Sequence, residues 1–374
     1  MICRAITVVE VADVFRRYGS EYIQKFGQRM PPSHKRAFED ILRCRTPAMG
    51  GHVFQCDHCG RKQYSYHSCR NRSCPKCHKS DIQTWLHGRQ RELLPVPYYH
   101  VIFTLPHELR VFVRQNQQKA YGLLIKSAAY SILKLAADPR YVGGRIGVMA
   151  VLHTWGSNLT YHPHVHCLVT GGGLSSDSNM WMPARKDYLV PIRALSRLFR
   201  GNFLNSIRRQ FEDINLPKSI RQKEWVVHCK PAVQGTGVVL NYLARYIHRV
   251  AITNSRIISA DDGKVTFKYK DSGSTQTKTM TVSAQEFIRR FLQHVLPAGV
   301  HKVRYYGLWS PSNRKKLLEV QQILTQSGND QQEGFEEDIN TEAPASLEVR
   351  RCPHCQKGTL VWIGRLLRRW REPP

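Results

Sequence analysis

The segment HTWGSNLTYHPHVHCLVT, residues 153–170, holds the end of one β-rich run and the whole of a second. The runs are Arg145–Trp155 and His164–Thr170, joined by a short polar turn around Ser157–Thr160 and closed by Gly171-Gly172-Gly173. This is the pattern of an antiparallel hairpin. Residues two apart on a strand share a face, so His162, His164 and His166 point one way while Val165 and Cys167 face a core. With the turn centred near Asn158–Leu159, His153 stands opposite His164 on the same face. His153, His164 and His166 then form a three-imidazole site with open coordination positions, the arrangement of a catalytic rather than a structural metal. His162, beside Pro163 at the strand entrance, is the weaker ligand. A histidine-rich solvated strand is the alternative.

Outward from the hairpin, strands alternate with helical patterns. HVIFTL (His100–Leu105) reads as a strand, Val111–Ala137 and Ile192–Phe211 as helices, and Trp225–His228 as a further strand. A helix is expected from about Gly237 to Val250. A second hairpin, Arg256–Lys270 with its turn at Asp261-Asp262-Gly263, precedes a helix near Ala284–Val295. Helices near residues 7–27 and from an N-cap at Ser33 come before the cysteines, and another spans roughly Lys79–Leu94. The fold class is α+β, a central antiparallel sheet flanked by helices.

The charge is lopsided: 56 Lys and Arg against 28 Asp and Glu, a net +28. Residues 328–348 carry seven acids and no Lys or Arg, and read as a solvated linker. A folded chain this basic points to a polyanion, with nucleic acid first. A merely soluble basic surface is the bland alternative. No run approaches the apolar length of a membrane span, and the N-terminus does not read as a secretory signal. The expected location is therefore cytoplasmic, near the bacterial nucleoid, with no membrane partner. In a reducing compartment, eleven cysteines point to metal rather than disulfides.

Five cysteines crowd into residues 56–77: Cys56-x-x-Cys59, Cys69 and Cys74-x-x-Cys77, the last followed by His78. Two Cys-x-x-Cys knuckles complete a tetrahedral zinc shell, so Cys56, Cys59, Cys74 and Cys77 are the expected structural zinc ligands, with Cys69 or His78 as substitutes. Arg61, Lys62, Arg70, Arg72, Lys76 and Lys79 around them suggest phosphate contact. A further pair, Cys352-x-x-Cys355, cannot close a site alone; it either borrows ligands from elsewhere or is a vestige. In GTGVVLNYLARYIHRV, Tyr242 and Tyr246 lie one helical turn apart, flanked by Arg245 and Arg249. They read either as aromatics at the margin of a core helix or as nucleophiles. A tyrosine, weak at its free pKa, needs a metal polarising the phosphate it attacks.

His164-Val165-His166 resembles the His-hydrophobic-His element of HUH single-strand endonucleases, and Tyr242-x-x-x-Tyr246 their paired-tyrosine version. More widely, SCRNRSCPKC, YYHVIFTLPHEL, HTWGSNLTYHPHVHCLVTGGGL, YLARYIHRVAI and VRYYGLWS resemble, in order, the transposases of the insertion-sequence-91 family. The resemblance runs from about residue 10 to about residue 315. It implies rolling-circle transposition: a tyrosine attacks a phosphate at the element's end, leaving a 5′-phosphotyrosine and a free 3′-OH. It also implies Mg²⁺ or Mn²⁺, of which imidazole suits Mn²⁺ better. The implied partners are single-stranded DNA at the element ends and target DNA. No Walker motif is present, so a host helicase or the replication machinery would separate the strands. A plasmid rolling-circle initiator or relaxase, or a non-catalytic zinc-ribbon DNA-binding protein, are the alternative functions. The chain divides into a helical segment (1–50), a zinc module contacting DNA (51–94), an HUH nuclease domain (95–315), a helix end with acidic linker (316–349), and a cysteine pair with basic tail (350–374).

Overall fold

The computed structural model describes residues 9–77, 88–177, 180–212, 214, 216–232, 250–271, 276–327 and 350–368. Tyr242, Tyr246, His78 and the acidic stretch lie outside them, as do the expected helix over Gly237–Val250 and most of the one over Lys79–Leu94. The chain is α+β, with N-terminal helices, a small cysteine-bearing sheet and a central antiparallel sheet.

Helix α1 (Val11–Phe26) buries Val11, Val14, Phe15 and Tyr22 along one stripe. Phe15 stacks on Phe38 of α2 (Pro32–Arg43) with ring centroids 4.6 Å apart. The two helices approach so closely that a Cβ on Gly19 would lie 2.3 Å from the Phe38 ring. Helix α2 starts at Pro32, one residue before the expected Ser33 cap. Proline fits the first turn because the amide it lacks would have no intrahelical acceptor there. Strands β1 (Gly51–Cys56) and β2 (Lys62–Tyr66) follow.

Next come β3 (Tyr98–Thr104), α3 (Gln117–Ala136), β4 (Gly147–Trp155), β5 (Tyr161–Thr170), α4 (Ile192–Gln210) and β6 (Val227–Pro231). The helix expected over 111–137 is broken at Asn116, whose backbone leaves the helical region and whose side chain donates to the Phe112 carbonyl. Trp225 precedes β6 rather than opening it; its indole donates to the Ile220 carbonyl beneath α4. Strands β7 (Ile257–Asp261), β8 (Lys264–Lys270) and β9 (Thr277–Ser283) make an antiparallel sheet leading into α5 (Ala284–Leu292). Ser283 caps that helix by accepting from the Glu286 amide. Strand β10 (Val303–Gly307), α6 (Arg314–Ser327) and β11 (Leu360–Leu366) follow.

The central sheet runs β10-β4-β5-β3-β6, every neighbour antiparallel. One face, with Val101, Phe103, Ala150, Leu152, Val165 and Cys167, packs on Leu124, Ala128, Phe199 and Phe203 of α3 and α4. The other face divides in two. Tyr98, Met149 and Leu168 at one end lie under Leu308, Trp309, Leu317 and Val320, while the other end carries histidines. Strand β11 joins the cysteine-bearing sheet, in the order β11-β1-β2. No helix among the described residues is long and apolar enough to cross a membrane.

The β4–β5 turn is held from outside its own sheet. Leu159 takes φ +62°, a left-handed conformation, yet is fully buried in the core that α1, α2, β7–β9 and α5 share. That conformation is costly for a branched side chain and persists only where surroundings enforce it. Here Gln293 donates to the Leu159 carbonyl at 2.9 Å and Arg256 to the Ser157 carbonyl. Burial pushes His294 down to about 3, so its neutral ring also donates its N–H to the Leu159 carbonyl at 3.1 Å. Leu159→Ala deletes the plug and leaves the strained backbone in place. The expected loss is about 2–5 kcal/mol in urea unfolding, the range for emptied leucine sites; a loss below 0.5 kcal/mol would contradict this packing.

Candidate functional site

Register places His153 of β4 directly opposite His164 of β5, and His166 opposite Val151 and Ile102. The ligand nitrogens of His153, His164 and His166 all lie within 4.8 Å of one another. Three donors that close share a point about 2.8 Å or less from each, so a small inward shift reaches the ~2.1 Å of a metal–imidazole bond. His153 is 1% exposed and stacks on Trp155 with ring centroids 4.7 Å apart. His164 donates from Nδ1 to the His162 carbonyl at 2.7 Å, which leaves the lone pair on Nε2. His162 itself is turned to Arg110, whose guanidinium is 2.7 Å from His162 Nδ1, and it stands outside the cluster.

Sequence reading missed His100. Its Nε2 lies 2.8 Å from His166 Nδ1, and the two rings are parallel with centroids 5.1 Å apart. Burial lowers His100 to about 4. Neutral His100 can accept from His166 Nδ1, which directs the His166 Nε2 lone pair toward the other imidazoles. The signal available in the sequence was the alternation of YYHVIFTL, which puts His100 on a strand but does not give its neighbour.

The cysteines divide differently from the expected grouping. Cys74 and Cys77 meet Cys44 and Cys69, while Cys56 and Cys59 meet Cys352 and Cys355. The cause is strand length. Cys44 and Cys69 flank the Gly51–Tyr66 end of the β1–β2 ladder, whereas Cys56 and Cys59 sit at its turn end. Five strand steps separate those ends by about 17 Å, too far for one ion. In the first cluster the sulfurs of Cys44 and Cys69 lie 3.4 and 3.5 Å from that of Cys77. Thiolates on one tetrahedral zinc are about 3.8 Å apart, so the donors fit zinc with little movement. Hydrogen bonds from Cys69 and Cys74 bring Cys44 down to about 7, and those from Cys44, Cys69 and Cys74 lower Cys77.

Comparison with known proteins matches residues 147–316 to a family model described as "Putative transposase" and residues 14–105 to a "Transposase zinc-binding domain". The chain is 41% identical over 384 residues to "Putative transposase y4qJ" of Sinorhizobium fredii, covering 95% of this chain and 94% of the relative. It is 28% identical over 283 residues to "Transposase for insertion sequence element IS801" of Pseudomonas savastanoi pv. phaseolicola, covering 71% and 68%. No solved structure matches. The Cys44–Cys69–Cys74–Cys77 cluster lies within the matched zinc-binding segment, and the two together support a structural zinc.

Of the basic residues near the cysteines, at least three have partners inside the protein: Arg72, Lys76 and Arg61, whose guanidinium is 3.1 Å from His354 Nδ1. Arg72 donates to the carbonyls of Val300, Leu296 and Pro297 at 2.7, 2.7 and 2.8 Å, and Lys76 pairs with Glu10. Arg72 therefore ties the cysteine segment to the chain beyond α5, which is a structural task in place of the expected phosphate contact. Arg72→Ala is expected to cost about 1–2 kcal/mol, the lower part of the range for charged hydrogen bonds because the side chain stays accessible to water. Thermal unfolding of the two forms measures it, and equal midpoints would refute the structural role.

Proposed function

The chain belongs to the insertion-sequence-91 family of transposases, and on that premise we propose that it cuts and transfers single-stranded DNA in rolling-circle transposition. The observation that carries this reading is the cluster of His153, His164 and His166 on one face of the central sheet, inside the transposase-matched segment. Tyr242 and Tyr246 belong to the same segment and are the proposed nucleophiles.

In the first step one tyrosine hydroxyl gives up its proton and its oxygen bonds to the phosphorus at the element end. The P–O3′ bond breaks, leaving a free 3′-OH on one side and a 5′-phosphotyrosine on the other. In the second step a 3′-OH of the target attacks that phosphorus, and the tyrosine leaves with its proton restored. Two tyrosines permit two such exchanges on one subunit, and a host helicase or the replication machinery supplies the single strand.

A divalent cation on His153, His164 and His166 would supply Lewis-acid polarisation of the scissile phosphate. Three neutral nitrogen donors suit Mn²⁺ better than Mg²⁺, which prefers oxygen and retains its waters. His100 holds the ring of His166, and the His162 carbonyl holds that of His164. Lys302, 5.1 Å from the centroid of the Trp155 ring that stacks on His153, adds positive charge near the cluster. In this reading Cys44, Cys69, Cys74 and Cys77 hold the structural zinc and take no part in the chemistry.

The Tyr242→Phe, Tyr246→Phe double variant removes two hydroxyls and nothing else. With labelled oligonucleotides from the element's own ends, it is expected to form no covalent protein–DNA adduct while still retarding the oligonucleotide in a gel. Nicking that survives in the double variant would rule the mechanism out. His164→Ala is expected to abolish metal-dependent nicking and leave the zinc content of the protein unchanged. His100→Ala is expected to weaken Mn²⁺ binding about 10–100-fold, the usual effect of losing a partner behind a histidine ligand. Manganese titration followed by electron paramagnetic resonance measures this without DNA; unchanged binding in both variants would remove the metal from this site.

A further inference from the structure

The geometry points to a second zinc site, formed by Cys56, Cys59, Cys352 and Cys355, that clamps the C-terminal strand β11 onto the N-terminal cysteine sheet. The matched zinc-binding segment ends at residue 105, so half of this donor set lies far outside it. All four sulfurs fall within 4.8 Å of one another, and the pairs Cys56–Cys355 and Cys59–Cys352 are each 3.7 Å apart. That is close to the ~3.8 Å between two thiolates on a tetrahedral zinc.

The two halves are built alike. In each, the residue four after the first cysteine takes a left-handed conformation, Gly60 at φ +67° and Gln356 at φ +56°. In each, the amide of that residue donates to the first cysteine's carbonyl, at 3.0 Å from Gly60 to Cys56 and 2.9 Å from Gln356 to Cys352. Each also aims an amide at a sulfur, Cys59 N–H at Cys56 Sγ and Gly358 N–H at Cys355 Sγ, both 3.4 Å. Amides aimed at sulfur stabilise a thiolate, the form that binds metal.

The halves are also fitted to each other. The Asp57 amide donates to the Thr359 carbonyl at 3.1 Å, and the Thr359 amide donates to the Asp57 carboxylate at 2.7 Å. At Gly358 an added Cβ would lie 2.5 Å from Cys56 Sγ, so only glycine allows this approach. Apolar burial does little to hold β11 in place. Val361, Trp362, Ile363 and Leu367 are 50, 58, 45 and 81% exposed, on a three-stranded sheet that depends on its ladder. A tetrahedral ion joining Cys56 and Cys59 to Cys352 and Cys355 supplies the missing cross-link. It would also carry Arg350, Arg351, Lys357, Arg365 and Arg368 onto the N-terminal module.

The test uses the full-length protein, purified in reductant, and does not depend on nicking activity. Elemental analysis is expected to give two zinc ions per chain in the wild type and one in the Cys352→Ser, Cys355→Ser double variant. Maleimide labelling during a chelator time course, read peptide by peptide, is expected to release Cys56, Cys59, Cys352 and Cys355 as one set. That set should precede Cys44, Cys69, Cys74 and Cys77, because Cys59 is exposed whereas Cys44, Cys74 and Cys77 are all buried. The wild-type labelling stands even where the serine variant fails to fold. Four outcomes overturn the proposal: one zinc in the wild type; release of Cys56 and Cys59 together with Cys74 and Cys77; labelling of the four thiols without chelator; or protection removed by stronger reductant rather than by chelator, which would mean disulfides.

Discussion

Leu159 sits where three parts of the protein meet, and the histidine site depends on what holds it. Its side chain fills a core made by α1, α2, the β7–β9 sheet and α5, and its carbonyl accepts from Gln293 and His294. Its left-handed backbone closes the turn between β4 and β5. A slip of one residue in that turn would send every β5 side chain to the opposite face. His164 and His166 would then enter the core and Val165 and Cys167 the site. The buried plug makes such a slip expensive, so the pairing of His153 with His164 is fixed by packing outside the strands that carry them.

The cysteines belong to the same mechanical unit. Cys44, Cys74 and Cys77 are buried in the core that holds Leu159, together with Phe15, Phe38, Phe287 and Phe291. A zinc ion on that cluster would stiffen the wall against which the turn is pressed. Arg72 adds a second tie, from the cysteine segment to the carbonyls just after α5. Although far apart in sequence, Cys44, Cys69, Cys74 and Cys77 and residues 251–267 and 280–295 form one buttress, and the hairpin end is seated in it.

This arrangement explains which features could be read from the sequence. The hairpin was legible because both of its signals are local: a period of two in the histidines and a polar turn of known length. The α+β class followed from the same kind of pattern. The cysteine partners were not legible. Cys56 and Cys74 look like neighbours in sequence, but the β1–β2 ladder carries them apart, and nothing local announces that Cys352 returns to Cys59. His100 was missed because its role is a cross-strand contact that depends on the β3–β5 register. Arg72 was misread because a count of basic residues cannot show that a guanidinium already faces three carbonyls. Interactions within about ten residues left a trace in the sequence pattern, and those that need the tertiary register left none.

The two kinds of site differ in charge as well as in donor type. Four thiolates around Zn²⁺ leave a net charge of −2, so such a centre is electrostatically spent and serves to hold chain together. Three neutral imidazoles would leave the full +2 of a cation bound there uncompensated, since the described cluster contains no carboxylate to offset it. Several of the described acids are paired elsewhere, Asp13 with Arg16, Asp138 with Arg140, and Glu286 with Arg289 and Arg290. In a chain of net charge +28 a phosphate brought to the histidine face, as proposed, would therefore meet little carboxylate repulsion. Neutral donors would leave the charge of such a cation available to a phosphate oxygen. In the proposed reading the basic composition and the imidazole site would be two parts of one electrostatic arrangement, the first drawing a polyanion to the surface and the second concentrating charge on a single phosphate.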